Sequence, residues 1–555
     1  MAIVSITGLS RDKDQERDLV WAYGKMSIPS VIDTEYRIFV SSGNEPTSSD
    51  LRAIHPCLNV GTYPSGDTSS ARAFDMLKAR MEKCLSNHSQ CSALGEGGPR
   101  PGRVLYIEDP KSLAVRLVDD TSSMEPQPYA CLSHRWTEQT ESSSLTLDRL
   151  ETFKKQIPTD LLYPLLRDAF EAAGRLGFRY MWIDCLCICQ DDLDDWNRQA
   201  SGMSAIYENA VVTISALDAQ INDWRLFAKH PPEKTQKLCT RDGQTIMISE
   251  LNKEHPFFVD TVGTKYRASS VEKGFPLLTR GWVYQERLLA RRIIHFTRNE
   301  VIWECKEAMS CECGHNEGAW KMVKREAPSL SDMTWSGICA EYTKTELSIE
   351  ADKLPALSGV ARRFGEAHGW TYLAGVWRED PDLCALLLWF SSKSHVRKHI
   401  PGLPSWSWAS VEAARFFPVF HQHRMLFRVV AHEVVPGAVP YSTPASAKLV
   451  IEGRCSPVTI KFKAGSGEDG ILTFSGEETQ HTCFMDHVRD ESEKEEIEQS
   501  SDIVFFLCFR DEDGPCGLLL KPVGREENTY ERIALFSLWG SIEESSLDRK
   551  RITLA

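Results

Sequence analysis

The sequence lacks several features that would place a protein in a broad class at once. It has no apolar run near the roughly 18–20 residues that cross a bilayer, and its N-terminus lacks the basic segment and apolar core of a secretory signal. It contains no Gly-rich phosphate loop of the GxxxxGK type and no internal repeat. We therefore expect a cytoplasmic protein without a membrane span.

The sequence also lacks an excess of positive charge, with 64 Lys and Arg against 78 Asp and Glu. The formal net charge is -14, whereas broad binding to nucleic-acid phosphates needs clustered Lys and Arg, so we expect no nucleic-acid partner. A small anionic ligand held by a few local cations remains compatible with this charge. The 17 cysteines are spread over 555 residues, unlike those of short disulfide-dense secreted domains, so we interpret them as mostly reduced, buried thiols.

Strands and helices alternate in the middle of the chain. YACLS (129–133), FRYMWID (178–184) and AVVTISA (210–216) are apolar runs typical of buried strands. LLYPLLRDAFEAAGRLG has an apolar helical face and ends at a glycine, and DDWNRQASGMSAIYE predicts a second helix with Asp194 or Asp195 as N-cap. This alternation predicts a parallel sheet wound with helices.

The carboxyl ends of the predicted strands are the expected ligand-binding edge. Ser133 and Asp184 both fall at those ends. Downstream, residues 277–305 predict a helix followed by a strand pair, and the chain turns rich in short strands after about residue 420. We predict four segments: 1–128, mixed helix and hairpin; 129–310, the core; 311–415, a helical extension; and 416–555, a β-rich domain with a solvated or disordered acidic loop at 489–502.

Three ordered, Trp-rich blocks carry a family resemblance: YACLSHRW (129–136), YMWIDCLCICQDD through MSAIYENAVVTISA (180–216) and RGWVYQERLLARRIIHF (280–296). On these blocks the chain resembles fungal heterokaryon-incompatibility (HET) domains, with weaker similarity over most of residues 70–410. The family blocks run roughly Y-x-x-L-S-Y-x-W-G, Y-x-W-I-D-x-x-C-I-x-Q and R-x-W-x-x-Q-E. His134, Thr137 and Cys189 depart from the aromatic, glycine and acid that are usual there.

The resemblance implies an α/β fold with a TIR-like, flavodoxin-like parallel sheet core, helical insertions and a C-terminal β-rich region. HET domains act in fungal non-self recognition and trigger cell death. They are thought to be related to TIR domains, some of which cleave NAD at the nicotinamide–ribose bond with a glutamate. The resemblance therefore implies an NAD hydrolase with NAD as substrate, no required cofactor, and activation by a protein partner or by self-association.

Two other functions stay open on the sequence alone. One is a non-enzymatic scaffold that signals by self-association. The other is an enzyme of fungal secondary metabolism that uses the same cleft. Fold analogy is a weak warrant for chemistry, so the choice depends on individual residues.

Two carboxylates are the catalytic candidates. Glu286, in GWVYQERLL, could stabilise an oxocarbenium-like centre at the ribose, or could instead form a structural pair with Arg280 or Arg287. Asp184 could bind ribose hydroxyls or orient another group, or could instead cap the turn that follows its strand. The candidates for binding the nucleotide are Ser133, His134, Arg135, Trp136, Gln190, Arg280, Trp282 and Gln285.

The cysteines suggest two weaker metal sites, and we predict no metal overall. Cys185, Cys187 and Cys189 would share one face of a strand, which is a poor zinc pattern. Better ligand spacing occurs in the set Cys84, His88 and Cys91, which Cys57 could complete, and in the set Cys305, Cys311, Cys313 and His315. We favour core packing and an exposed turn over zinc binding as the explanation for both sets.

Overall fold

The computed structural model describes most of the chain. The described residues are 24–25, 35–41, 66–92, 100–219, 223–229, 236–239, 245–250, 275–312, 333–391, 399–412, 414–416, 425–437, 439–462, 469–474, 477–486, 491–510, 514–524, 526–538 and 547–555.

Eight of the described strands form one mixed sheet. In chain order they are β1 (Val104–Asp109), β2 (Ala114–Val118), β3 (Tyr129–Ser133), β4 (Tyr180–Trp182), β5 (Val212–Ala216), β6 (Arg292–Phe296), β7 (Val301–Cys305) and β8 (Met309–Cys311). Their order across the sheet is β8-β7-β6-β5-β3-β4-β1-β2. The central strands β4, β3, β5 and β6 are parallel, with antiparallel pairs on both sides. The mixed α/β class and the hairpin β1–β2 confirm the sequence prediction.

Every residue of β3, β5 and β6 is buried. This is expected because parallel strands are covered by other elements on both faces, so their sequences are continuous apolar runs. β4 is shorter than the sequence predicted, because the chain enters a helical turn at Asp184 instead of extending to it.

The described helices are mostly short. In chain order they are α1 (Ala71–Asn87), α2 (Ser89–Ser92), α3 (Glu138–Ser143), α4 (Leu150–Lys155), α5 (Pro164–Leu176), α6 (Asp184–Cys187), α7 (Leu193–Asn209), α8 (Gly281–Leu289), α9 (Trp335–Tyr342), α10 (Ser358–His368), α11 (Leu383–Leu386) and α12 (Glu491–Gln499).

Local signals explain where the two crossover helices begin and end. α5 begins with Pro164 and ends at Gly177, whose φ of 94° is the left-handed conformation that favours glycine. The N-cap of α7 is Asp192, whose carboxylate accepts from two backbone N–H groups of the first turn. The prediction of Asp194 or Asp195 as the cap was therefore wrong by two to three residues. The carboxylate of Asp195 pairs with Arg103 instead.

The chain divides into two compact units. The first comprises residues 1–279 and 289–328, and the second comprises residues 280–288 and 329–555. The eight-stranded sheet belongs to the first unit. Most of α8 belongs to the second unit, although its sequence lies between two parts of the first.

A second sheet, of nine described strands, forms the end of the chain. Its strands are β9 (Arg428–Val435), β10 (Ser446–Pro457), β11 (Thr459–Phe462), β12 (Asp469–Phe474), β13 (Glu477–Met485), β14 (Val504–Arg510), β15 (Pro515–Pro522), β16 (Thr529–Leu538) and β17 (Asp548–Leu554). They run in the order β9-β10-β14-β15-β16-β13-β12-β11, and β17 pairs with β10 and β16. The predicted C-terminal β-rich region is thus confirmed.

The expected acidic loop at 489–502 is wrong in part, because residues 491–499 form α12. Ile497 explains the helix: it is 1% exposed and packs into the apolar core with Phe505 and Leu519. Lys521 Nζ also lies 2.5 Å from Glu496 Oε1. This buried isoleucine packs the otherwise charged helix against the sheet.

Smaller sheets complete the described structure. Gly24–Lys25, Glu35–Ser41, Gln236–Cys239 and Thr245–Glu250 form a four-stranded sheet, and two ribbons pair Tyr372–Leu373 with Val376–Trp377 and Trp389–Ser391 with Ala414–Phe416. Among the helices of the described residues, none combines the length and the apolar character needed to cross a bilayer.

Candidate functional site

The carboxyl ends of the four parallel strands lie at one edge of the first sheet. Ser133, Ser215 and His295 occupy one row across β3, β5 and β6, close to those ends. The connections that leave this edge begin at His134, Ile183, Leu217 and Thr297. The sequence prediction that Ser133 and the Asp184 region meet at one edge is therefore reproduced by the structure.

Asp184 is the centre of a small polar cluster at this edge. Trp136 Nε1 donates to its Oδ2 at 2.5 Å, and the backbone N–H of Cys185 donates to its Oδ1 at 2.8 Å. His134 Nδ1 lies 3.7 Å from the same Oδ1, and the Asp184 side chain is 17% exposed. The carboxylate is held from two sides and still reaches solvent, as a group that meets a ligand must.

The three thiols after Asp184 do not line one strand face. Cys185 and Cys187 lie on the helical turn α6 and Cys189 beyond it, and all are buried. Burial, with the charge of Asp184 beside it, raises the pKa of Cys185 well above its usual range, and burial raises the pKa of Cys187 to about 12. Both side chains are neutral thiols near pH 7 and are poor nucleophiles.

An ion-pair clamp fixes the segment after α6. Arg103 Nη1 lies 2.6 Å from Asp195 Oδ2, and its Nε lies 2.6 Å from Asp119 Oδ1. Asp195 Oδ2 also accepts from the Cys189 N–H at 2.9 Å. Burial alone would raise the pKa of Asp195, but these donors lower it and keep it ionised. The acid-rich sequence after the thiols thus orders the loop.

A small cleft lies beyond the ends of β3 and β5. It spans about 240 Å³, including space open to solvent, and is lined by Arg135, Leu165, Ala216, Leu217, Ala219, Trp224, Pro276 and Leu277. Its lining is apolar except for the Arg135 guanidinium. Most of this space is open to solvent, and the enclosed part has room for about one water molecule.

The wall around Trp224 is conformationally strained. Asp223 and Trp224 have φ of 48° and 56°, a conformation that costs a non-glycine residue about 1–2 kcal/mol. The N–H of Trp224 bonds to the Ala219 carbonyl at 2.8 Å and closes the turn. Strain of this kind is concentrated at ligand sites. Sequence reasoning missed Trp224 because no periodic pattern surrounds it.

A second cleft, spanning about 320 Å³ including space open to solvent, lies at the opposite end of the strands. It is lined by Arg100, Pro101, Val104, Thr121, Met124, Glu125, Gln127, Tyr129 and Tyr180. Tyr129 and Tyr180 are the first residues of β3 and β4. Ligands of open parallel sheets bind beyond the carboxyl ends, so we favour the smaller cleft as the site.

Asp218 and Arg298 form a second polar feature at the same edge that sequence reasoning missed. Asp218 Oδ2 accepts from the Arg298 backbone N–H at 2.9 Å and from its Nε at 3.2 Å. The guanidinium lies 5.8 Å from the centre of the Phe275 ring. The pair joins the loops after β5 and β6. These loops are distant in sequence and lie close together because β5 and β6 are adjacent in the sheet.

A buried chain of hydrogen bonds crosses β5, β6 and β7. His295 Nδ1 lies 3.1 Å from Ser215 Oγ, and its Nε2 lies 2.8 Å from Glu304 Oε2. With a neutral ring, Nε2–H donates to the carboxylate and Nδ1 accepts from the hydroxyl. The order resembles a Ser–His–acid triad, but all three residues are 7% exposed or less. In this closed setting it fixes the pairing of the strands.

The other predicted ligand contacts of the first unit differ in position. Arg135 is exposed and lines the cleft, whereas Ser133 and His134 are buried. Gln190 Nε2 donates to the carbonyl of Ile188 at 3.0 Å, so its amide holds a turn. Thr137, which replaces the family's glycine, is the N-cap of α3 with a reciprocal bond to Thr140.

Glu286 lies in the middle of α8 and is 6% exposed. In the second unit, Trp282 Nε1 donates to Asp352 Oδ2 at 3.2 Å, and Arg280 forms an isolated bridge with Glu346. Gln285 is 1% exposed, and among the described residues neither atom of its amide has a hydrogen-bond partner. Asp184 belongs to the first unit and Glu286 to the second.

The structure combines residues from the two predicted metal-ligand sets into one cluster. Cys84, His88 and Cys91 meet Cys305, and their ligand atoms all lie within 4.8 Å of one another. Cys311 packs instead with Ile302 and Met309. Cys57, Cys313 and His315 lie outside the described residues.

The fold defines a mixed α/β protein whose main sheet has four parallel central strands. Residues 129–286 match the family model of the heterokaryon incompatibility protein (HET). This range is therefore similar to a HET domain, and it contains the cleft residues Arg135 and Trp224 together with Asp184 and Glu286. No curated protein and no solved structure matches the chain.

Proposed function

We propose that this protein is an effector of fungal non-self recognition and cell death that hydrolyses NAD at the nicotinamide–ribose bond. The HET domain ties the chain to heterokaryon incompatibility. The observation that carries the chemical part is Asp184, a partly exposed carboxylate fixed by Trp136, whose chain neighbour Arg135 lines the small cleft. A cytoplasmic setting is part of the proposal.

The strand order supports the fold that the proposal assumes. The parallel strands lie in the chain order 2-1-3-4 across the sheet, which is the order of flavodoxin-like sheets. In such sheets the ligand sits where the order reverses, here between β3 and β5. Arg135 and Leu217, which follow these two strands, both line the cleft.

The reaction needs little machinery because its leaving group is neutral. When the bond between C1′ and the pyridinium nitrogen breaks, the electron pair neutralises nicotinamide, and positive charge develops at the ribose. A nearby carboxylate stabilises that charge, and water then adds to C1′ and gives up a proton. The balance is NAD⁺ and water giving nicotinamide, ADP-ribose and a proton.

We assign Asp184 to the ribose and Arg135 to a phosphate of the nucleotide. The Trp136 N–H and the Cys185 N–H fix the carboxylate of Asp184 without neutralising it. Arg135 offers a forked donor set that suits phosphate oxygens. Glu286, in the second unit, is a separate candidate carboxylate that is tested by its own mutation.

The direct test incubates the purified full chain with NAD and follows nicotinamide and ADP-ribose, with and without a crowding agent that favours assembly. We expect turnover, and we expect Asp184→Asn and Glu286→Gln each to reduce kcat by about 10²–10⁴-fold. Arg135→Ala should raise KM with a smaller effect on kcat.

Exposed acids provide matched controls. Asp160→Asn and Glu341→Gln change the same chemical groups on the surface of the two units, and both should retain full activity. Absence of product from the wild-type protein at high concentration under both conditions would sink the enzymatic proposal. If both carboxylate variants still kill cells as wild type does, the non-enzymatic scaffold is favoured.

A further inference from the structure

Four metal-ligating side chains converge from distant parts of the first unit. Cys84 lies in the last turn of α1, and His88 follows the end of this helix with extended backbone. Cys91 lies in α2, directly after that turn. Cys305, the last residue of β7, reaches the group from more than 200 positions along the chain. The spacing of Cys84, His88 and Cys91 is C-x3-H-x2-C.

The distances suit a tetrahedron of ligands. With Zn–S bonds of about 2.3 Å and Zn–N bonds of about 2.0 Å, neighbouring ligand atoms lie roughly 3.5–3.8 Å apart. His88 Nδ1 lies 3.3 Å from Cys305 Sγ and 3.9 Å from Cys91 Sγ. All four ligand atoms fall within 4.8 Å of one another, so small side-chain adjustments would complete the geometry.

Polar donors point at the sulfur atoms. Arg292 Nε donates to Cys84 Sγ at 3.1 Å, and the Ala308 N–H donates to Cys305 Sγ at 3.3 Å. Such outer-shell donors orient metal-bound thiolates and stabilise their charge. A purely apolar packing of thiols would need neither donor.

Arg292 gives an independent electrostatic argument. It is 2% exposed, and among the described residues its guanidinium donates to Cys84 Sγ and to the carbonyls of Cys91 and Val211. A buried cation needs a compensating negative charge. Three thiolates around a divalent cation leave one net negative charge, which would balance this arginine.

We propose that Cys84, His88, Cys91 and Cys305 bind one zinc ion in a closed structural site. Four protein ligands leave no open position for substrate, and the three cysteines are 2% exposed or less, as in structural rather than catalytic zinc sites. The ion would tie α1 and α2 to the end of β7. This inference is independent of NAD hydrolysis.

The first test is the zinc content of the purified full chain by inductively coupled plasma mass spectrometry. We expect about one zinc per chain in the wild type, and close to none in Cys305→Ala. Cys311→Ala is the matched control, because Cys311 is also buried, on the adjacent strand β8, but outside the cluster. It should keep a full equivalent.

A second measurement covers the case in which Cys305→Ala does not fold. Wild-type protein reconstituted with Co²⁺ should show the intense visible absorption of a tetrahedral cobalt–thiolate site. His88→Cys should bind one equivalent and shift that spectrum, because it keeps four ligands. The proposal is overturned if wild-type protein takes up neither metal, if Cys305→Ala retains a full equivalent, or if two of the three thiols form a disulfide.

Discussion

At the scale of single residues, the carboxyl group of Asp380 is poorly matched to its surroundings. It is 8% exposed, and its Oδ1 accepts from the Asp382 N–H at 2.8 Å. Its Oδ2 is buried without a hydrogen-bond partner among the described residues. Burial, with Asp382 nearby, raises the pKa of Asp380 to about 6. Between about pH 4 and pH 6, the Asp380 carboxyl group therefore stays protonated in the folded state and is ionised in the unfolded state.

This raised pKa predicts a pH dependence of stability. The folded state binds more protons than the unfolded state between about pH 4 and pH 6, so the free energy of unfolding falls as pH rises through that window. The loss should be on the order of 2 kcal/mol and should level off above about pH 6. Thermal unfolding of wild type and Asp380→Asn across pH 4–7 measures it.

The asparagine variant should lose this part of the pH dependence, whatever its own stability. Asp382→Asn, two positions along the chain, is the control and should keep most of it. A wild-type profile that rises steadily from pH 4 to pH 6, unchanged in Asp380→Asn, would contradict the assignment.

Candidate site residues could be named from the sequence where they lie within the family blocks. Asp184, Arg135 and Trp136 were candidates from sequence, and the structure places all three at the carboxyl edge. Trp224 and the Asp218–Arg298 pair were missed. These residues are 80 or more positions from their partners or lie in segments without periodicity, so their contacts depend on strand order, which the sequence does not specify.

At the scale of elements, the glycine at the end of α5 fixes where this helix stops. Gly177 has φ of 94°, and a Cβ added there would meet no atom within 4 Å. The cost of a larger residue is therefore conformational rather than steric. Gly202, inside α7, is also open to a Cβ but shows no left-handed φ. Replacing each glycine with alanine should therefore change the free energy of unfolding in opposite directions.

We expect Gly177→Ala to lower the free energy of unfolding by about 1–2 kcal/mol, since alanine is strained in the left-handed conformation. Gly202→Ala should raise it by about 0.5–1 kcal/mol, because alanine is the better helix former. Chemical denaturation of both variants against wild type measures the two shifts. Equal shifts of the same sign would show that helix-end geometry does not govern this crossover.

Elements were predictable where one signal dominated. The apolar runs of β3, β5 and β6 and the glycine after α5 gave their positions closely. The predicted strand 178–184 was too long at its C-terminal end, where Asp184 begins the helical turn α6, because a short apolar run does not by itself distinguish a strand from a helical segment. α12 was missed because its composition is charged and its one buried anchor, Ile497, is not conspicuous in sequence.

At the scale of the whole molecule, each unit has its own sheet and its own buried charge. In the second unit Arg532 is 1% exposed, donates to Asp486 Oδ1 at 3.1 Å and stacks 3.7 Å from the Trp389 ring centre. In the first unit Arg292 is buried against the cysteine cluster. Separate cores of this kind favour separate opening of the two units.

Two matched leucines test whether the units open separately. Leu132 in β3 and Leu535 in β16 are both 0% exposed, on strands inside the two sheets. Truncation of each to alanine should cost about 2–5 kcal/mol in its own unit. By hydrogen exchange with mass spectrometry, Leu132→Ala should lower protection in β3–β6, and Leu535→Ala in β14–β16. If either variant lowers protection equally in both sheets, the chain unfolds as one cooperative body and the division into two units has no energetic meaning.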